Sequence, residues 1–126
     1  MSGTSLDGID VALLSSDGED EVNRGPSRVF AYRPDQQALL QDAIAEAVTL
    51  TDRMARPGIL AEAERELTEW HAAAIDSFCR EEGLTLSEVD VIGFHGQTVI
   101  HRPEIGLTVQ LGDGATLARR SGRPVV

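Results

Sequence analysis

The spacing of apolar residues predicts that the chain begins with two strands. Residues 9–14 place Ile, Val and Leu at every second position, which is the period of a strand with one covered face. Residues 28–33 contain Val29, Phe30 and Tyr32 and predict a second strand. The polar segment 15–26 carries two glycines and predicts the hairpin loop between them.

Two helices are predicted in the middle of the chain. Pro34 suits the first turn of one helix, and Leu40, Ile44, Ala47 and Val48 give that helix an apolar face. After the break at Pro57-Gly58, apolar residues recur at steps of three and four until Gly83, a natural helix stop. This second apolar face consists of Leu60, Ala63, Leu67, Trp70, Ala74 and Phe78.

Three residues of the second predicted helix have side chains that could bind a ligand or a metal. Trp70 falls on the apolar face and is predicted to belong to the core. Cys79 is the only cysteine, which excludes an internal disulfide and a thiolate metal cluster, and it is predicted to be a small buried apolar residue. His71 is predicted to lie at the surface or at its boundary.

The last third of the chain is predicted to be rich in strands. Residues 89–94 are almost continuously apolar, which favours a strand covered on both faces. Two strands, a helix capped by Asp113 and a final strand are predicted at residues 99–102, 107–111, 115–120 and 124–126. Together these elements predict an α/β fold with a mixed sheet and flanking helices, in one unit spanning residues 1–126.

Charge and composition exclude several classes of function. The formal charge is −10, which disfavours nucleic acid as a partner. All eleven cations are arginines, and the absence of lysine excludes a P-loop. No apolar run approaches the roughly 20 residues of a membrane span, and no signal peptide is evident. A cytoplasmic protein without a membrane partner is therefore expected.

A loop of small and polar residues at the start of the chain is the first candidate site. Its glycines let backbone N–H groups converge on one point, its hydroxyls add donors, and Asp7 and Asp10 could hold Mg²⁺ through water. Asp7-Gly8 is also a common turn pair, so a plain turn into the strand is the alternative. The candidate residues are Gly3, Thr4, Ser5, Leu6, Asp7, Gly8, Ile9 and Asp10.

The second candidate site follows the apolar run at residues 89–94. Polar groups at the carboxyl end of such a strand line the usual ligand crevice of an α/β sheet. Gln97 and Thr98 can both donate and accept hydrogen bonds, as sugar hydroxyls require, and His95 precedes them. The alternative is a loop in which His95 only satisfies backbone groups. His101 could share a metal with His95, but no third ligand is evident.

A third candidate lies at Gln110–Gly114, between a predicted strand and a predicted helix. Backbone N–H groups at such a junction could bind an anion. Gly112 and Gly114 imitate the opening of a dinucleotide fingerprint, but Leu117 occupies the position of its third glycine.

Taken together, these segments resemble one family. Residues 1–10 (MSGTSLDGID), 95–103 (HGQTVIHRP) and 107–114 (LTVQLGDG) resemble three motifs of the anhydro-N-acetylmuramic acid kinases, in the family's order. That family belongs to the sugar kinase, actin and Hsp70-like ATPases. The resemblance therefore implies that residues 1–126 form an incomplete N-terminal lobe of that fold.

The resemblance also implies a reaction. Water opens the 1,6-anhydro bridge of N-acetylmuramic acid, and the freed 6-oxygen takes the γ-phosphoryl group of ATP with Mg²⁺, a step in recycling cell-wall sugars. Gly3–Asp10 becomes the phosphate loop, and His95, Gln97 and Thr98 lie beside the sugar. The family's general-base Asp is expected beyond residue 126, so this chain alone is expected to be inactive. Full-length members could form homodimers. A non-catalytic sugar- or anion-binding module is the alternative.

Overall fold

The computed structural model describes residues 5–126 as an α/β arrangement of two hairpins and three helices. The strands are β1 (Gly8–Ser16), β2 (Val22–Ala31), β3 (Gln97–Arg102) and β4 (Leu107–Leu111). The helices are α1 (Pro34–Ala47), α2 (Leu60–Glu82) and α3 (Gly114–Ser121), and short 3₁₀ turns occupy Leu86–Glu88 and Pro103–Ile105.

The first hairpin confirms the predicted pairing of the first two strands but not the predicted loop. β1 and β2 are antiparallel, with Ile9 opposite Phe30 and Asp10 opposite Val29. We expected a loop over residues 15–26, whereas pairing continues to Ser16 opposite Val22. The prediction was wrong because backbone hydrogen bonds hold this exposed ladder without an apolar face. The actual turn is closed by Asp17, whose carboxylate accepts the Glu19 and Glu21 N–H groups at 3.0 Å each.

Both predicted central helices are confirmed. α1 begins at Pro34, and the Arg33 N–H donates to the Gln36 side chain at 2.9 Å. α2 ends at Gly83, whose φ of 68° is the left-handed conformation that stops a helix. The apolar faces of the two helices meet in the core, where Leu40, Leu60 and Leu67 are completely buried. Burying each of these side chains stabilises the fold by roughly 1.5–3 kcal/mol.

The predicted mixed sheet is not present among residues 5–126. The structure instead has two separate two-stranded antiparallel sheets, β1–β2 and β3–β4. Residues 89–94 do not form the predicted strand covered on both faces, since each of them is either exposed or half-buried. They make one parallel bridge, from Ile92 to Val125, with the Phe94 N–H donating to the Val126 carbonyl at 2.7 Å. The apolar run misled the prediction because described neighbours cover this segment on one side only.

Helix α2 joins the two hairpins into one body, because it contacts both hairpins and both other helices. Val109 and Leu111 of β4 are buried in the same cluster as Ile9 of β1. Within residues 5–126, no helix combines the length and apolar character that crossing a membrane would require.

Candidate functional site

The first candidate loop is described from Ser5 onward, so Gly3 and Thr4 lie outside the described residues. The Ser5 hydroxyl donates to the Asp7 carboxylate at 2.7 Å, and this bond is the main cause that lowers the pKa of Asp7. Asp7 is fully exposed and Asp10 is exposed on β1. The loop therefore presents an ionised carboxylate to solvent near neutral pH.

The backbone of this loop is held from two sides. Leu6 is buried and has a φ of 54°, a conformation that costs a non-glycine residue free energy. The Gln37 side chain of α1 fixes it by donating to the Leu6 carbonyl at 2.9 Å. Gly8 leaves no room for a side chain, since a Cβ there would lie 2.5 Å from the Phe30 carbonyl oxygen. Ile9 is buried beneath the loop.

No metal cage accompanies the two aspartates in the described part of the chain. Residues 5–126 contain no group of three or more His, Cys, Asp or Glu side chains placed to share one ion. The carboxylate oxygens are nevertheless the hard donors that Mg²⁺ prefers when it keeps most of its water. Metal binding at Asp7 and Asp10 therefore stays a prediction.

The second and third candidate segments are brought together in one hairpin. Gln97 pairs opposite Leu111 and Thr98 opposite Gln110, whose side-chain amide donates to the Thr98 hydroxyl at 3.3 Å. Gly96 immediately precedes β3 and Gly112 immediately follows β4, and the two backbones approach each other closely there. We call this close approach the Gly96–Gly112 crossing. A Cβ on Gly96 would overlap the Leu111 carbonyl oxygen, and one on Gly112 would lie 2.7 Å from the Phe94 ring.

The three predicted sugar-side residues differ in exposure. His95 is exposed and Thr98 is half-buried, whereas Gln97 is only 1% exposed. The Gln97 amide donates to the Thr98 carbonyl at 3.1 Å. His95 and Thr98 can therefore contact a ligand directly, whereas the buried Gln97 side chain stabilises the loop through its hydrogen bond to the Thr98 backbone.

In the third segment, Gln110–Gly114, two backbone N–H groups are already bonded to side chains of α2. The Gly112 N–H donates to the Glu64 carboxylate of α2 at 3.1 Å, and the Asp113 N–H donates to the Thr68 hydroxyl at 3.0 Å. Asp113 caps α3 as predicted, accepting the Thr116 N–H at 2.9 Å. Hydrogen bonds from the Thr116 hydroxyl and N–H lower the pKa of Asp113. Two of the N–H groups that we expected to face a ligand are thus satisfied internally.

Glu64 and Thr68 were not singled out from the sequence. They lie four residues apart on α2, beside its apolar face. Polar residues in such positions are usually exposed to solvent. The only available signal was a threonine next to the predicted core residue Leu67. Thr68 is in fact 1% exposed.

The prediction for His71 was wrong. Its ring is 3% exposed and packs edge-on against Phe94, with centroids 4.9 Å apart. Nδ1 lies 2.8 Å from the Leu67 carbonyl oxygen, so this nitrogen carries the proton, and Nε2 has no partner among residues 5–126. Burial lowers the pKa of His71 to about 4. A polar residue beside an apolar stripe is normally exposed, but α2 is covered here by the segment before Gly96.

The other two predictions on α2 are confirmed. Cys79 is buried, and this burial raises the pKa of its thiol. Trp70 is half-buried and packs against the core cluster, with its ring edge-on to Tyr32 and the ring centroids 5.8 Å apart.

Comparison with known proteins gives one consistent result. The family model described as anhydro-N-acetylmuramic acid kinase matches residues 1–126. Proteins of that name from Methylobacterium nodulans and Agrobacterium fabrum are 55% and 53% identical to the chain over all of its length. The protein of that name from Brucella canis is 52% identical over the same span.

The chain combines an α/β fold with a lysine-free polar loop and a glycine crossing that supports a second polar loop. It belongs to the anhydro-N-acetylmuramic acid kinase family. The chain spans about a third of the length of the curated relatives it matches, 36% of the Methylobacterium protein and 34% of the Agrobacterium protein.

Proposed function

We propose that the full-length protein is an ATP-dependent kinase that opens 1,6-anhydro-N-acetylmuramic acid by hydrolysis and yields N-acetylmuramic acid 6-phosphate. The observation that carries the proposal is the family match over the whole chain, with relatives of that name more than half identical. The three motifs recognised in the sequence all lie within this match. In this proposal the chain adopts the N-terminal part of the actin-like ATPase fold and acts in the cytoplasm.

The loop Gly3–Asp10 is assigned to the phosphates of ATP. Its support is the absence of a side chain at Gly8 and the fixed backbone at Leu6, which let a phosphate group approach the loop backbone closely. The carboxylates of Asp7 and Asp10 would hold Mg²⁺ through water, and that ion would supply charge neutralisation on the phosphates. Because the chain has no lysine, these groups carry the binding that a P-loop lysine performs elsewhere.

His95, Gln97 and Thr98 are assigned to the sugar. His95 and Thr98 offer hydrogen-bonding groups at the surface, and the buried Gln97 acts by fixing the Thr98 backbone. The hydroxyl, imidazole and amide groups can each donate or accept, which suits the mixed hydroxyl pattern of a sugar.

The reaction needs more than these residues. Water adds to the anomeric carbon, the bond from that carbon to the bridging oxygen breaks, and the freed 6-oxygen attacks the γ-phosphorus as ADP leaves. A base must take the proton of the water, and we assign this role to an Asp of the full-length protein beyond residue 126. A missing base alone commonly costs roughly 10²–10⁴-fold in rate. We therefore propose that the 126-residue chain by itself does not turn over substrate.

The test is to incubate the full-length protein and the 126-residue chain separately with Mg·ATP and the anhydro-sugar. The proposal expects phosphorylated sugar and ADP from the full-length protein only. The full-length Asp7→Asn, Asp10→Asn double variant sets the background. Sugar binding without turnover by the full-length protein would replace the proposal with the binding-module alternative. Turnover by the short chain above that background would show that its own residues complete the catalytic machinery.

A further inference from the structure

Two polar residues of α2 hold the loop that follows β4. Glu64 and Thr68 lie one helical turn apart and accept the consecutive backbone N–H groups of Gly112 and Asp113, at 3.1 and 3.0 Å. The Thr68 hydroxyl in turn donates to the Glu64 carbonyl at 2.7 Å. Since Thr68 is 99% buried, its hydroxyl has no water to exchange for the Asp113 N–H. The contact is therefore costly to break.

Arg56 completes this contact from the segment before α2. Its Nε donates to the same Glu64 oxygen that accepts the Gly112 N–H, at 2.9 Å. Its Nη2 reaches the Gln110 carbonyl at 3.1 Å, and both partners of the ion pair have side chains only about a fifth exposed. Partial burial shields this pair from the screening that weakens surface salt bridges. One guanidinium thus links the helix to the strand that enters the loop.

The loop held by these residues, Gly112-Asp113, lies directly against the segment assigned to the sugar, residues 95–98, which we call the sugar-side loop. A Cβ on Gly96 would overlap the Leu111 carbonyl oxygen, and one on Gly112 would lie 2.7 Å from the Phe94 ring and 3.2 Å from the Gly96 Cα. Gly112 also has a φ of 148°, where other residues are strained. Gln97 is paired directly opposite Leu111. A displacement of Gly112 must therefore displace Gly96, and with it the neighbouring His95 and Gln97.

We propose that Arg56, Glu64 and Thr68 are positioning residues that set the sugar-side loop through the Gly96–Gly112 crossing. The inference rests on the proposed function, because it takes His95 and Thr98 as the groups that meet the sugar. None of the three positioning residues touches the substrate. Their effect is on the placement of the loop, where a shift of about 1 Å in a binding group can cost up to 10²-fold.

Thr68 offers a matched pair of variants. Thr68→Val keeps the shape of the side chain but removes the acceptor for Asp113, whereas Thr68→Ser keeps the hydroxyl. In the full-length protein we expect Thr68→Val to raise the KM for the anhydro-sugar roughly ten-fold and to leave the KM for ATP within about two-fold. Thr68→Ser should restore the sugar KM. A merely structural role would lower the active fraction without separating the two KM values.

Amide hydrogen exchange measures the hydrogen bond from the Asp113 N–H to the Thr68 hydroxyl directly, and the experiment needs no sugar. Thr68→Val should accelerate exchange at the Asp113 amide and leave the Gly112 amide protected, because Glu64 still holds it. Equal protection of Asp113 in the two Thr68 variants would overturn the inference.

A second pair covers the case in which Thr68→Val does not fold. Arg56 lies outside the helices, so Arg56→Gln and Arg56→Lys should both leave α2 intact. We expect a raised sugar KM for Arg56→Gln, which carries no charge for Glu64, and a smaller rise for Arg56→Lys. If the wild type turns over sugar and folded Arg56→Gln keeps its sugar KM, the inference fails and the proposed function stands. If the full-length wild type shows no turnover, the proposed function fails and the inference falls with it.

Discussion

The Cα of Gly96 lies 3.2 Å from the position that a Cβ on Gly112 would occupy, so the two loops that carry the second and third motifs meet backbone to backbone. Neither residue was chosen from the sequence for this reason. Gly96 was one member of a polar motif, and Gly112 was part of an incomplete fingerprint. The crossing explains both glycines by sterics, without a ligand.

Gly96→Ala should therefore be strongly destabilising, because its Cβ would overlap the Leu111 carbonyl oxygen. Gly106→Ala is the matched control, since Gly106 has nearly the same φ, 66° against 67°, but nothing within 4 Å of its Cβ position. The left-handed conformation alone should cost Gly106→Ala about 1–2 kcal/mol. Gly96→Ala should cost several times as much in urea unfolding. Equal losses for the two variants would mean that the crossing can open at little cost.

His71 should make stability depend on pH. In the folded chain its pKa is lowered to about 4, against an ordinary value of 6.5, so between these values only the unfolded chain binds the proton. Stability should therefore fall as the pH drops from about 6.5 to about 4 and then show no further loss from this residue. The full effect is roughly 3 kcal/mol, at 1.36 kcal/mol per pKa unit.

The measurement is the free energy of unfolding at pH 7.5 and pH 4.5 for the wild type and for His71→Gln. Glutamine is neutral at both pH values, so carboxylates that titrate in both proteins cancel in the comparison. The wild type should lose more stability on acidification than the variant. A parallel decline would show that His71 is protonated in the folded protein as readily as in the unfolded chain.

Asp7→Asn should raise the Mg²⁺ concentration that gives half-maximal kinase activity in the full-length protein. The amide removes the exposed negative charge that the Ser5 hydroxyl helps to keep ionised. Asp17→Asn is the control, because Asp17 is also an exposed carboxylate with a lowered pKa but lies in the turn at the other end of β1. Titration of activity with Mg²⁺ distinguishes the two. Identical Mg²⁺ dependence of both variants would leave Asp7-Gly8 as a plain turn.

Gln97→Ala should raise the KM for the anhydro-sugar and leave the KM for ATP nearly unchanged in the full-length protein. Its loss frees the Thr98 carbonyl and loosens the loop beside the sugar. Gln36→Ala is the control, since Gln36 is a buried glutamine that caps α1 instead. It should lower stability without separating the two KM values. A selective rise in the KM for ATP in Gln97→Ala would move this loop to the nucleotide side.

Periodicity predicted the two central helices and the first strand pair well, because their apolar faces have clear helical or alternating spacing. It failed at residues 89–94, where a buried strand and a half-covered extended segment have the same apolar composition. It also failed at residues 15–26, where pairing is held by the backbone and leaves no apolar signal. Periodicity describes one element at a time, so it could not show that the hairpins form separate sheets.

The candidate site was predictable in parts. The sequence motifs identified His95 and Thr98 as candidate ligand-binding residues. Asp113 was predicted to cap a helix, and it caps α3. The partners Glu64 and Thr68 were not predictable, because they are 48 and 45 residues from the N–H groups they hold. The same holds for His71, whose burial is created by Phe94 from a distant part of the chain.

The most direct test of the proposed chemistry is to run the full-length protein with ATP, Mg²⁺ and the anhydro-sugar in ¹⁸O-labelled water. We predict N-acetylmuramic acid 6-phosphate with one ¹⁸O on the anomeric carbon and none in the phosphate group, because water opens the ring and the bridging oxygen becomes the phosphate ester. The label should be read by mass spectrometry as soon as product forms, before the free anomeric centre exchanges with solvent. Absence of a phosphorylated sugar, or label in the phosphate instead of the sugar, would contradict the account.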